Sequence, residues 1–168
     1  MDRHKSFLIV ALVIAALLSG SCTRRSGLDT GEIREWAKAE GYVWSDGPDE
    51  IRTQEAFFDY IDGAAQPIID LGWKHSLFGV LEKGDSRLRL TVHKMVSPKE
   101  AAALFDQNVF DDTRPIDVGE RAVSWDRGVF SKGILFQKGS FVCELVFEKE
   151  GGQAELLDLA SSLETRMK

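Results

Sequence analysis

Two hydrophobic periods alternate along this chain, and the longest helical one comes early. Over residues 53–72 (TQEAFFDYIDGAAQPIIDLG) apolar side chains recur at three- and four-residue steps, at Phe57, Phe58, Ile61, Ala64, Ala65, Ile68 and Ile69. That spacing puts one broad stripe on a helix, and the stripe must be buried. Thr53 is placed to cap the helix, and Glu55 falls in the first turn, where negative charge suits the dipole. Gly63 and Pro67 lie inside the pattern. A proline within a helix clashes with the carbonyl four positions earlier and removes a backbone hydrogen bond, at about 3 kcal/mol, so a kink or break is expected between them. After Lys74 the period drops to two. Residues 75–81 and 87–95 alternate around a turn at Lys83-Gly84-Asp85, with Leu88, Leu90 and Val92 opposed to Arg87, Arg89, Thr91 and His93. This predicts an antiparallel hairpin with one apolar face, the surface for the helix to cover.

The remaining elements follow the same logic. Asp29 with Glu32 is a capping-box pattern ahead of a short helix marked by Ile33, Trp36 and Ala37 and stopped by Gly41. Residues 42–49 (YVWSDGPD) read as a turn-rich connection whose Tyr42 and Trp44 pack over the core edge. Ser97-Pro98-Lys99-Glu100 joins an N-cap serine, a proline at the first helical position and a glutamate at the third, and opens a helix buried through Ala101, Leu104, Phe105 and Asn108 or Val109. Residues 110–117 form a loop. Ala122 to Trp125, Val129 and Phe130, Ile134 to Lys138 and Phe141 to Glu148 are short strands joined at glycines. In the last of these Phe141, Cys143, Leu145 and Phe147 face one way, and Val142, Glu144, Val146 and Glu148 the other. A closing helix from Gln153 to about Met167 buries Leu156, Leu157, Ala160, Leu163 and Met167. The expected fold is α+β: an antiparallel sheet of about five or six strands covered by helices, in two layers. Similar helix-then-hairpin units on either side of Ser97 hint at a loose pseudo-repeat.

The first residues change the picture of where this domain works. Arg3, His4 and Lys5 precede a wholly apolar run, FLIVALVIAALL, that ends in Ser19, Gly20 and Ser21. Such a run is too short to span about 30 Å of hydrocarbon and has the layout of a secretory signal peptide. Cys22 follows directly on LSGS, which resembles the lipobox of bacterial lipoproteins, where a small residue precedes a cysteine that is acylated. Leucine stands four residues before the cysteine instead of three, and the serines also suit an ordinary signal peptidase, which would give a plain secreted product. The expected organisation is a signal peptide over residues 1–21, a lipidated Cys22 with a flexible tether to residue 28, and one α+β domain over residues 29–168.

The composition, 43% hydrophobic and 29% charged, is that of a globular protein. The whole chain carries −6; Asp2, Arg3 and Lys5 contribute a net +1, so the processed chain carries −7. That acidity argues against nucleic acid as a partner. With only Cys22 and Cys143 present, lipidation of the first leaves no intramolecular disulfide.

The segments DYIDGAAQPIIDLGW, LRLTVHKM and SPKEAAALF together resemble an uncharacterised family of bacterial exported domains, whose signature helix reads roughly Tyr-Ile-Asn-Gly-x-Ala-Glu and ends in Gly-Phe. Tyr60, Ile61, Gly63, Ala65 and Gly72 match it, while Asp62, Gln66 and Trp73 replace its asparagine, glutamate and phenylalanine, and Pro67 is a further departure. The resemblance implies a fold and an exported setting. It lends no activity.

Candidate chemistry is sparse. Asp59, Asp62, Gln66 and Asp70 share the polar side of the central helix and can offer carboxylates to a hard cation, Asp59 and Asp62 first, if another segment completes the shell; a wet polar face is the plainer reading. Tyr60 and Asp62 flank the expected kink, where freed backbone groups serve a ligand or internal capping. Arg87, Arg89 and His93 make one strand face basic, suited to an anionic ligand or to pairing with Asp59, Asp62 and Glu55. His75 and His93 read as surface histidines, and Cys143 as a small buried hydrophobe. There is no GxSxG, Walker loop, GxGxxG, HExxH or CxxC. No cofactor is implied. Three functions are consistent with this: a lipid-anchored domain that binds a protein partner or small ligand at the cell envelope without catalysis; a metal-dependent or acid/base hydrolase using Asp59, Asp62 and His93; and a purely structural envelope lipoprotein. A concave, partly apolar pocket beside the kinked helix separates the first from the third.

Overall fold

The structure, a computed structural model, describes residues 30–128, 131–149 and 152–167. The signal segment, Cys22, the tether, Asp29, Val129 and Phe130 lie outside the described residues.

Helix α1 (Thr30–Ala39) is followed by strand β1 (Val43–Ile51), helix α2 (Gln54–Ile61), a 3-10 turn (Asp62–Ala64) and helix α3 (Ala65–Asp70). Strands β2 (Trp73–Lys83) and β3 (Ser86–Met95) precede helix α4 (Pro98–Gln107). Strands β4 (Arg114–Pro115), β5 (Arg121–Asp126), β6 (Lys132–Lys138) and β7 (Phe141–Lys149) lead to helix α5 (Gln153–Glu164). One sheet holds all seven strands in the order β1-β2-β3-β7-β6-β5-β4, and every neighbouring pair is antiparallel. The protein is α+β, as the periodicities predict, with seven strands where five or six were expected.

The sheet is covered on both faces, so there are three layers and not the expected two. Alternate residues of each central strand enter two separate cores. Leu88, Leu90, Val92, Ile134, Phe136, Cys143 and Leu145 pack with Ile33 and Trp36 of α1 and with Leu156, Leu159, Ala160 and Leu163 of α5. On the opposite face, Phe78, Leu135, Val142 and Val146 pack with Phe57 of α2, Ala65 of α3 and Ala101, Leu104 and Phe105 of α4. The β2–β3 hairpin is therefore covered on both faces except toward its turn, where Arg87 and Arg89 stay open to water. Alternation reads as inside and outside only when water covers one side, and here a second layer of helices does.

Two strands were not expected, β1 and the two-residue β4, and β1 is the longer. Its sequence, VWSDGPDEI, carries turn residues because it is an edge: the pairing with β2 shifts register between Trp44 and Asp46 and again between Asp46 and Asp49, and the Gly47-Pro48 bond is cis. Bulges and a proline are tolerated at an edge and hinder pairing with another chain. Tyr42 and Trp44 do pack on the core margin, Tyr42 through a bond from its hydroxyl to Glu155 Oε1 (3.0 Å). Residues 110–117, expected as loop, contribute the two-residue pairing of β4 with β5.

The long amphipathic stretch breaks where expected, and Asp62 shows how. It takes φ +54°, ψ −144°, outside the left-handed helical well, in a backbone region that glycine adopts freely and residues with side chains rarely do. Pro67 then sits in the first turn of α3, where the carbonyl four residues earlier belongs to Gly63, outside that helix, so no clash arises. The Ala65 amide bonds to Asp62 O, an internal use of the freed backbone. Because the two helices are rotated relative to one another, the apolar stripe is not buried whole: Phe57 and Ala65 are, Ile61, Ile68 and Ile69 are half-buried, and Phe58 and Ala64 are exposed. The Thr53 cap holds, accepting from the Ala56 amide at 3.3 Å. The Ser97 cap of α4 holds too, accepting from the Lys99 amide at 3.2 Å. Of the expected buried side of α4, Ala101, Leu104 and Phe105 are inside, and Asn108 and Val109 are exposed. In α5, Leu159 is buried in place of Leu157.

Candidate functional site

The residues around α2 show what the central stretch is for. Phe57 is fully buried and stacks on Trp73 (centroids 4.4 Å, planes 10° apart), while its ring meets His93 edge-on at 5.9 Å. Phe78 also meets His93 edge-on, at 5.7 Å, and Tyr60 stacks on Phe78 at 4.4 Å. Helix α2 is thus fastened to β2 and β3 by aromatic rings, each such pair adding about 0.5–1.5 kcal/mol beyond its buried area.

Under those rings runs a short polar relay. The Trp73 indole Nε1–H donates to Ser76 Oγ at 2.7 Å, and Ser76 Oγ lies 2.6 Å from His93 Nδ1. Ser76 is fully buried, and an indole N–H can only donate. Satisfying the serine hydroxyl as well requires it to donate to Nδ1, which leaves the histidine proton on Nε2. Burial depresses the His93 pKa from 6.5 to about 4, so the ring is neutral at physiological pH.

His93 lines a cavity of about 60 Å³ together with Thr91, Glu144, Val142, Leu135, Ile68 and Asn108. The register explains the grouping. Thr91 is opposite Glu144 and His93 opposite Val142 on the central β3–β7 pair, with Leu135 across from Glu144 on β6. Ile68 of α3 and Asn108, the C-cap residue of α4, complete the wall from the helical layer. The cavity lies where α3 and α4 leave the sheet uncovered.

Glu144 is the residue sequence reasoning missed. It alternates with Val142 and Val146 on a strand face that looks half polar, yet it is half-buried among them. Burial raises its carboxyl above the ordinary range, and Arg89 pulls it partly back. Arg89 itself is bonded to Glu148 Oε1 at 3.3 Å. Among the described residues no hydrogen bond or ion pair reaches the Glu144 carboxyl. The one signal available beforehand was the flanking of a glutamate by valines on a strand whose other face was plainly core.

The residues singled out from the sequence do not meet at this cavity, His93 excepted. His93 is not a surface histidine, and His75 is half-buried. Arg87 pairs with Glu148 (3.1 Å) and Glu82 (3.6 Å), so the basic strand face is neutralised within the sheet and not by Asp59, Asp62 or Glu55. Cross-strand neighbours are simply nearer than a helix on the other side of an aromatic layer. Asp59 and Asp62 are exposed, Gln66 bonds to Asp70 at 2.6 Å, and among the described residues no three His, Cys, Asp or Glu side chains gather as a metal-holding group. Tyr60 is 45% exposed, its hydroxyl pKa raised by burial and by Asp49 and Asp46. Cys143 is buried, and burial lifts its thiol well above the reactive range. A second, larger hollow of about 390 Å³ lies at the other end of the sheet, lined by Asp112, Arg114, Ser124, Trp125, Asp126 and Gln153.

No family model and no curated protein matches this chain. Among solved structures it is similar to the extracellular domain of PknH from Mycobacterium tuberculosis, with 8% identity over 83% of this chain and 91% of that one, at a TM-score of 0.47.

Proposed function

We propose that the protein is an exported domain, anchored through a lipid on Cys22, that binds a small ligand or the tip of a partner without changing it chemically. The observation that carries the reading is the cavity under α3, with a carboxyl that no hydrogen bond reaches among the described residues beside a neutral, positioned imidazole. A purely structural part gains nothing from such a carboxyl, because holding a charged group half-buried without a hydrogen bond to it costs free energy. A hydrolytic reading on Asp59, Asp62 and His93 lacks a shared site, since both aspartates lie on the wet side of the helical layer. Export and anchoring rest on the apolar run before Ser19 and on the position of Cys22.

Native mass spectrometry of the full chain extracted from membranes tests the binding. A non-covalent adduct is expected on the wild type and not on Ile68→Phe, whose larger ring fills the cavity. An adduct that survives in Ile68→Phe, or a wild type that carries none, refutes the cavity as the binding place. The mass of the mature N-terminus tests the anchor, which an unacylated Cys22 would overturn.

A further inference from the structure

The chemistry of the cavity wall narrows what it takes. Its polar side chains are three oxygen-bearing residues and one imidazole. Glu144 has no hydrogen-bond partner among the described residues, and neither does the Thr91 hydroxyl. The Asn108 side chain commits its Nδ2 to Leu104 O at 2.8 Å, leaving Oδ1 as an acceptor. His93 brings no positive charge, being neutral with Nδ1 occupied by Ser76. Arg89, whose charge acts on Glu144, is engaged with Glu148, and Lys94, the neighbour of His93 along β3, with Ser140 Oγ at 2.5 Å and the Phe141 ring. Asn108 also marks the C-terminal end of α4, the negative end of that helix dipole. The rest of the wall is Ile68, Leu135 and Val142, all aliphatic.

On the reading of this cavity as the binding site, we propose that it takes the head of a small organic cation, a primary ammonium on a short alkyl chain. An ammonium has three N–H donors, matched in number by the Glu144 carboxylate, Asn108 Oδ1 and Thr91 Oγ1, and the aliphatic wall covers the carbon that follows. A bare metal ion fits less well: one carboxylate and two neutral oxygens fall short of the six to eight oxygens a calcium ion draws round it, and half the wall is apolar. A carboxylate or phosphate would face Glu144, while Arg89, the cation that acts on that carboxyl, is already engaged with Glu148. A volume of about 60 Å³ suits such a head, while the pockets that enclose drug-sized molecules run to about 300–1,000 Å³.

The test is an NMR titration of the full chain in detergent, with propylammonium, propan-1-ol and propionate as probes of similar size. The His93 ring protons and the Trp73 indole N–H are the reporters, since His93 lines the cavity and Trp73 is joined to it through Ser76. Propylammonium is expected to shift them saturably and the other two not to. Glu144→Gln, which keeps shape and removes charge, is expected to weaken the propylammonium effect about tenfold or more, the loss of a charge-assisted hydrogen bond. Ile68→Phe should abolish it. Propan-1-ol or propionate binding as tightly as propylammonium overturns the ammonium assignment and leaves the cavity reading standing. Failure of all three to move either reporter overturns both. A propylammonium shift unchanged in Glu144→Gln overturns the assignment of the charge to that residue.

Discussion

Ser76 and His93 are where single atoms carry most of the consequence. Replacing Ser76 by alanine leaves the Trp73 indole N–H and His93 Nδ1 facing each other without the oxygen that joins them. Each unsatisfied buried group costs about 1–3 kcal/mol, so Ser76→Ala should lower the urea midpoint and shift the Trp73 indole resonance, whereas Ser45→Ala, at an exposed serine, should do neither. His93 makes stability depend on pH. Its folded pKa of about 4 lies below the ordinary 6.5, so the unfolded chain takes up a proton in that window that the folded protein refuses. Stability contributed by His93 is therefore present above 6.5, falls as pH drops towards 4 and is fully lost below it, by about 3 kcal/mol. Glu144 acts oppositely: its raised carboxyl adds stability as pH falls through its folded pKa, and loses it as pH rises. Urea midpoints measured from pH 7 to 4 should decline for the wild type and decline much less for His93→Gln, which keeps an acceptor for Ser76. An equal decline in both proteins would mean that His93 is not held neutral. Neither residue was legible as interior beforehand. A polar side chain alternating with apolar ones reads as facing water, and nothing local distinguishes water from a second helical layer with a hole in it.

At the scale of elements, local chemistry was most legible where it is most demanding. The caps at Thr53 and Ser97, the turn at Gly84 and the break before Pro67 all follow from residues that the backbone leaves few choices for. Strand β1 was illegible for a related reason: an edge strand that must bulge and resist further pairing uses the residues that mark a loop. The break itself gives a prediction. Asp62 is exposed and holds a positive φ that costs a side-chain-bearing residue about 1–3 kcal/mol, whereas glycine adopts it freely. Asp62→Gly should therefore raise the thermal midpoint, and Asp62→Val should lower it. If glycine destabilises instead, the exposed carboxylate contributes something that the backbone argument omits.

Across the whole molecule, two meanders are joined at their last strands. The first, β1-β2-β3, and the second, β4-β5-β6-β7, meet only at the β3–β7 pairing, from Arg87 opposite Lys149 to Lys94 opposite Phe141. Each half is a run of neighbouring strands with helices, three strands before Ser97 and four after it, and neither half closes a core alone. Both cores span the join, one through α1 and α5, the other through α2, α3 and α4, and the candidate cavity lies on it. Amide protection should follow that geometry. Groups in β3 and β7 have paired strands on both sides and helices above and below, so they open only when the whole molecule does; β1 and β4 have one open flank each. Native-state hydrogen exchange should find the slowest amides at Leu90, Val92, Cys143 and Leu145, with free energies equal to that of global unfolding by urea. Leu145→Ala, which removes a fully buried side chain at the join, should lower both values together by about 2–5 kcal/mol. If β4 to β7 lose protection in that variant while β1 to β3 keep theirs, the halves are separate folding units, and the site between them is a docking seam and not part of a single core.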